Sequence, residues 1–241
     1  MEFDSKILNV MDYAENETLS DRIVTLEVPA DFAFKSGQFV MIGHEAVKHK
    51  NNPAQLKWGS MSIASSPHKK GSIELVLSMG SPEGITYFVG NQRKIGDVIK
   101  VRGPFGVFGV REEFEEAVFI ATGTGIAPLI SMIRSLLEGG EKKKLSLFFG
   151  FKNNSKYLYE KELSELKKKY PNFSFDIICS REPAKGNKKQ GYVQDLLKAQ
   201  SWDTKKNIQF YICGTPQAVP EIVNLLKSFG FEPSHIHFEQ W

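Results

Sequence analysis

Three short segments hold residue types suited to binding a dinucleotide. The first is Thr122-Gly123-Thr124-Gly125-Ile126-Ala127-Pro128. It follows a compact apolar run and precedes a helical pattern. Gly123 and Gly125 let the backbone approach a pyrophosphate closely, and the next helix would offer free N–H groups and the positive end of its dipole. Pro128 suits a first helical turn, where its missing N–H has no helical partner. Proline stands at the third glycine position of a GxGxxG pattern, so a plain tight strand-to-helix turn is an equal reading. The second segment is Ser180-Arg181-Glu182, with Lys185, Lys188, Lys189 and Tyr192 downstream. A hydroxyl, a guanidinium and ammonium groups suit a phosphate monoester, and Tyr192 suits stacking on adenine. That set favours NADPH over NADH; a solvated basic loop is the competing reading. The third is Cys213-Gly214-Thr215-Pro216. Gly214 permits close backbone approach, and Cys213 is placed either to pack on a nicotinamide ring or to fill an apolar core.

The elements that must position these segments differ between the two halves of the chain. Residues 22–28, 38–43, 73–78 and 98–102 are short β-branched runs punctuated by turn residues such as Lys70-Gly71 and Gly96-Asp97, the pattern of an antiparallel sandwich or barrel. Residues 45–58 are polar and irregular and predict an exposed loop. From residue 117 onward, strands alternate with helices: strands over 117–121, 145–149, 173–179, 208–213 and 236–238, helices over 128–137, 157–169, 193–199 and 216–229. This predicts a five-stranded parallel sheet with helices on both faces. Ligands of such a sheet bind beyond the carboxyl ends of its strands, where all three segments fall. The predicted boundaries are 1–112 for the β-barrel domain and 113–241 for the α/β domain, with the acidic stretch 111–116 as the junction.

Bulk properties exclude several classes. At 41% hydrophobic and 24% charged residues over 241 positions, the chain can bury a core and is not a disordered segment. A net charge of +3 with scattered lysines argues against nucleic acid as a partner. Two cysteines, Cys179 and Cys213, are too few for an iron–sulfur cluster and imply a reducing compartment. The histidines do not fall at zinc-site spacing, so no metal is expected. Neither a signal peptide nor a run long enough to span a membrane is present, and a cytoplasmic protein is expected.

Taken in order, the segments resemble the ferredoxin–NADP reductase superfamily. The similarity runs through Gly37-Gln38-Phe39, Ser62-Ile63-Ala64-Ser65-Ser66-Pro67, Gly96-Asp97, Gly103-Pro104-Phe105-Gly106, Gly123–Pro128, Gly191-Tyr192-Val193 and Cys213-Gly214. The resemblance implies an N-terminal FAD-binding barrel and a C-terminal NAD(P)-binding domain. It implies hydride transfer between NADPH and FAD, then electron transfer to or from a separate carrier such as ferredoxin or flavodoxin, or to a small-molecule acceptor. Carried over by position, Ser62 matches the serine near the flavin N5, with Met61 and Ile63 beside it. Gly123, Thr124 and Gly125 match the pyrophosphate turn. Ser180, Arg181 and Tyr192 match the group that holds the 2′-phosphate, to which Lys189 is added as a candidate from its residue type, and Cys213, followed by Gly214, matches the cysteine at the nicotinamide end. Glu239 is similar to the acidic residue near the C-terminus, and Trp241 to the terminal aromatic that covers the flavin. A monomer is the expectation for a member of this size.

Two motifs depart from the family pattern. Where the family has Arg-x-Tyr-Ser, this chain has Gly59-Ser60-Met61-Ser62. Loss of the charge-assisted pair to the FAD pyrophosphate would cost roughly 1.5–3 kcal/mol, and Lys57, Trp58 and Arg93 are the candidates to compensate. The second signature, Gly-x-x-Ser/Thr, is met only as Gly84-Ile85-Thr86, one residue short. These departures keep two alternatives open: a free flavin or ferric reductase that releases its flavin, and a flavin-free subunit or binding module.

Overall fold

The computed structural model describes residues 1–15, 18–182 and 189–240. Two compact units emerge, Met1–Gly109 and Val110–Trp241.

The first unit contains strands β1 (Glu2–Glu15), β2 (Thr18–Glu27), β3 (Phe39–Gly43), β4 (Lys48–His49), β5 (Asn52–Leu56), β6 (Gly59–Ser62) and β7 (Ser72–Ser78), helix α1 (Ile85–Gln92) and strand β8 (Val98–Phe105). Six strands form one antiparallel sheet in the order β6-β3-β8-β1-β2-β7. Its two ends meet: Ile63, just past β6, bridges to Leu75 of β7, and Ala64 N–H donates to Glu74 O at 2.7 Å. The sheet thus closes into the expected barrel, which removes its free edges. Alternate residues such as Val24, Leu26, Val40, Ile42, Leu75 and Val101 are fully buried inside, and α1 adds Ile85, Phe88 and Val89 to the same core.

Strand β1 is absent from the sequence-based expectation. Its apolar residues do not alternate, because the register with β2 shifts between Ile7 and Asn9; a bulge there displaces the period-two pattern and leaves Leu8 41% exposed. Residues 45–58 are not simply a loop. They contain the β4–β5 hairpin, whose residues are nearly all exposed and so give no buried face for a pattern to reveal.

The second unit contains β9 (Glu116–Thr122), α2 (Ile126–Glu138), β10 (Lys144–Phe151), α3 (Glu160–Lys169), β11 (Phe173–Cys179), β12 (Lys189–Gln190), α4 (Val193–Lys198), β13 (Ile208–Gly214), α5 (Ala218–Ser228) and β14 (Ile236–Gln240). The strands form a parallel sheet in the order β12-β11-β10-β9-β13-β14. It has six strands rather than the expected five. The extra one, β12, is two exposed polar residues on the edge and carries no hydrophobic signal. The central strands β9 and β13 are buried along almost their whole length, as a sheet covered on both faces requires. Helices α4 and α5 pack over Val118, Ile120, Phe210 and Ile212; α2 lies against β9 and β13, and α3 against β11. Helix α3 begins three residues later than expected. Tyr157, Leu158 and Tyr159 are buried, and Tyr159 takes a left-handed φ of 62°, which turns the chain before the helix starts.

Candidate functional site

In the first unit the candidate residues gather around β6 and the start of α1. Ser62 pairs with Phe39 and Met61 with Val40. Ser62 is 9% exposed and Ile63 is fully buried, while Met61 packs against the barrel core. Gly84 is the N-cap of α1, and Thr86 is in its first turn. No side chain caps this helix and no acid lies in its first turn. Its leading N–H groups therefore have no intrahelical partner and face an anion favourably.

Gly59 is fixed by packing. A Cβ on it would stand 2.5 Å from Ile85 Cγ2, so the first residue of α1 fills the space above this strand position. Of the three candidates for replacing the absent arginine, Trp58 is stacked under the Arg102 guanidinium at 3.9 Å. Arg93 lies over the Phe88 ring at 4.5 Å and 3.8 Å from the Asp97 carboxylate. Lys57 alone reaches the helix start, where its Nζ donates to Glu83 O at 3.0 Å. An uncapped helix start with an ammonium beside it fits the diphosphate of a flavin dinucleotide.

In the second unit, the turn after β9 and the turn after β13 are packed backbone on backbone. Gly123 adopts a left-handed φ of 56° with open space where a Cβ would project. Gly125 is different: a Cβ there would fall on the Cys213 carbonyl and stand 2.8 Å from Gly214 N. A Cβ on Gly214 would in turn fall on Thr122 Oγ1, which accepts the Thr215 N–H at 3.3 Å. The glycines of two separate sequence segments thus form one seam. Thr124 and Gly125 then lead directly into α2, whose start has neither a side-chain cap nor an acidic residue in its first turn. This is the arrangement that receives a pyrophosphate.

Cys213 is fully buried and sits in register between Ala121 of β9 and Glu239 of β14. Its burial matches the apolar use of cysteine. Glu239 Oε2 is buried with no hydrogen-bond partner among the described residues. Burial pushes its carboxyl up to about 7, because desolvation disfavours the charged form. His237, on the same face two residues earlier, is held below its usual value, by burial first and then by Arg111 and His235; its Nε2 lies 2.7 Å from Gln209 Oε1. The raised acid sets the sign of a pH effect. Above its ordinary value of 4.5, the unfolded chain ionises while the folded carboxyl keeps its proton. Glu239 therefore costs stability increasingly as pH rises from about 4.5 through 7. Glu239→Gln is expected to remove that component of the slope and to raise the melting temperature at pH 8 but not at pH 4, as thermal melts across pH would show.

The candidate phosphate residues converge on the ends of β11 and β12. Lys189 pairs with Ile178 and Gln190 with Cys179, and Gly191 N–H donates to Cys179 O at 3.0 Å. The register sets Ser180 and Arg181 beside Lys189–Tyr192. Ser180 Oγ donates to Phe151 O at 3.4 Å. Arg181 and Lys189 are exposed, and Tyr192 is 66% exposed, with its N–H held by Asp195 Oδ2 at 2.9 Å. Lys185, Lys188 and Trp241 lie outside the described residues. A contribution missed in the sequence comes from the loop after β10: Arg181 N–H donates to Lys152 O at 2.9 Å, which brings exposed Lys152 to the same edge. Its only sequence signal is a lysine directly after a strand. Among the described residues no group of His, Cys, Asp and Glu could hold a metal, and no helix is long and apolar enough to cross a membrane.

An antiparallel barrel and a parallel α/β unit with paired glycine turns make up the ferredoxin reductase-like fold, and the chain has that fold. Residues 119–224 match the family model of the oxidoreductase NAD-binding domain. The chain is 29% identical over 214 residues to the reductase component DmpP of phenol 2-monooxygenase from Pseudomonas sp. (strain CF600), covering 86% of this chain and 58% of that protein. It spans about half the length of the curated relatives it matches. Among solved structures, the flavohem-like FAD/NAD-binding domain of nitric oxide dioxygenase from Vibrio cholerae has a TM-score of 0.84 at 17% identity, covering 99% of this chain and 98% of that one. A ferredoxin NADP+ reductase from Neisseria gonorrhoeae with bound FAD and NADP has a TM-score of 0.83 at 18% identity, with the same coverage.

Proposed function

We propose that the chain is the flavin- and nicotinamide-binding part of a reductase that takes hydride from NADPH and passes electrons to a separate acceptor. The observation that carries this reading is Lys57 at the uncapped start of α1. A cation beside the positive end of a helix is unfavourable on its own; an anion bound between them reverses the sign. Lys57 Nζ uses one of its donors on Glu83 O, and the others remain for a phosphate. FAD, when bound, supplies the redox chemistry, accepting a hydride and releasing electrons in pairs or singly.

The residues then have separable tasks. Lys57, Gly84 and Thr86 hold the diphosphate, and Met61, Ser62 and Ile63 shape the flavin side of β6, with the Ser62 hydroxyl as hydrogen-bond donor. Gly123, Thr124 and Gly125 admit the pyrophosphate of the nicotinamide coenzyme, and Cys213 and Gly214 set the width of the slot for its reactive end. Ser180, Arg181, Lys189 and Tyr192 anchor the adenosine end. Their binding energy positions the reactive end of the coenzyme. Glu239, with a carboxyl raised to about 7 by burial, can take up and release a proton near neutral pH. The acceptor is a protein carrier such as ferredoxin or flavodoxin, or the oxygenase component of a multicomponent system; the latter is in keeping with relatives that are the reductase component of phenol 2-monooxygenase and the electron transfer component of toluate 1,2-dioxygenase.

Lys57→Met is expected to weaken FAD binding about tenfold while leaving riboflavin, which lacks phosphate, unaffected in fluorescence titrations. Equal loss for both flavins, or none, would remove the diphosphate assignment. A second reading, in which flavin is an exchangeable substrate, is favoured by the replacement of the arginine by Gly59. It predicts rapid loss of flavin on gel filtration and its restoration on addition.

A further inference from the structure

The loops after β10 and β11 are tied together by their main chains. Ser180 N–H donates to Phe151 O and Arg181 N–H to Lys152 O, both at 2.9 Å, and Cys179 Sγ donates to Lys152 O at 3.2 Å. Two exposed cations, Lys152 and Arg181, are thereby fixed on neighbouring strand ends. Among the described residues no carboxylate pairs with either. Glu182 is the acid best placed in sequence to neutralise Arg181, yet it is turned elsewhere. Its Oε2 accepts the Asn154 main-chain N–H at 2.9 Å and the Asn154 Nδ2 at 2.6 Å. Asn154 opens the 3-10 turn Asn154–Lys156 that follows β10. One residue therefore supplies two donors, both spent on the acid next to the guanidinium.

We propose that Asn154 is a positioning residue for the coenzyme 2′-phosphate, holding the Glu182 carboxylate away from Arg181 so that this edge stays cationic. The inference rests on the NADPH reading above and goes beyond it, because it places a selectivity element in a loop without a phosphate-binding motif. A phosphate monoester carries close to two charges at neutral pH and gains from two cations. The unphosphorylated ribose of NADH gains little from them. A freed carboxylate would pair with Arg181 and repel the dianion, so the penalty falls on the phosphorylated coenzyme alone.

The test is calorimetric titration of the full chain with 2′-phospho-AMP and with 5′-AMP, which read the site without bound flavin or turnover. Wild type is expected to bind 2′-phospho-AMP the more tightly, and Arg181→Ala to remove that preference. Asn154→Ala is expected to weaken 2′-phospho-AMP about fivefold and leave 5′-AMP unchanged. Adding Glu182→Gln to Asn154→Ala is expected to restore the affinity, since the released side chain then has no charge. Loss of both nucleotides in Asn154→Ala without rescue by Glu182→Gln would mean a loop-folding role and overturn the inference. So would an unchanged preference in Asn154→Ala, or selective weakening of 2′-phospho-AMP by Glu182→Gln alone. If wild type shows no preference between the nucleotides, the NADPH reading fails and the inference with it.

Discussion

Replacing Gly59 with arginine is expected to destabilise the first unit by about 2–3 kcal/mol and to lower flavin affinity, although it restores the residue that the family motif carries. The reason is steric. Even a Cβ at this position would stand 2.5 Å from Ile85 Cγ2, and Ile85 is 3% exposed within the barrel core. An arginine must either displace Ile85 or push α1 away from β6. Either movement shifts the helix start that, with Lys57, is proposed to hold the diphosphate. Pairing Gly59→Arg with Ile85→Ala should recover part of the stability. Urea denaturation of the single and double variants checks this, with FAD titration alongside. A single variant as stable as wild type that binds FAD more tightly would show that the glycine is not a packing requirement.

The second large effect is expected at Gly125. Gly125→Ala should cost about 3 kcal/mol and abolish nucleotide binding by the second unit. Its Cβ would meet the Cys213 carbonyl and Gly214 N. Those are main-chain atoms of a strand bonded on both sides, so nothing flexible can move aside. Gly123→Ala provides the contrast. There the Cβ meets nothing within 4 Å, and the cost is that of a left-handed φ of 56°, about 1–2 kcal/mol. Gly125→Ala should therefore be the more severe of the two in denaturation melts. The reverse order would contradict the seam between the two turns.

These two glycines show how far the sequence could be read. Gly123 and Gly125 lie two residues apart in one turn, and both read as permitting approach to a pyrophosphate. The structure separates them: Gly123 supplies backbone conformation and Gly125 supplies clearance for a neighbouring strand. That clearance comes from β13, about 90 residues away, and a pairing this remote leaves no local signal. The strands with a buried face, such as β7 and β8, were legible from alternation. The exposed pieces, β4, β5 and β12, were not, because pairing without burial imprints no pattern. Strand β1 was hidden by its bulge. Lys57 could be placed on a shortlist from spacing alone, but selecting it over Trp58 and Arg93 required knowing what those two side chains already touch. Asn154 could not be found at all. Its role depends on where Glu182 points, and the two residues meet only because β10 and β11 pair in register.

The central claim is that this chain binds FAD and lets NADPH reduce it. The most direct test is the visible absorption spectrum of the purified protein, recorded without oxygen, before and after NADPH is added. The account predicts a yellow protein with a flavin spectrum, as isolated or after addition of FAD and removal of the excess, which bleaches with NADPH. A protein that stays colourless after incubation with excess FAD, or one whose bound flavin NADPH leaves unbleached, would contradict it.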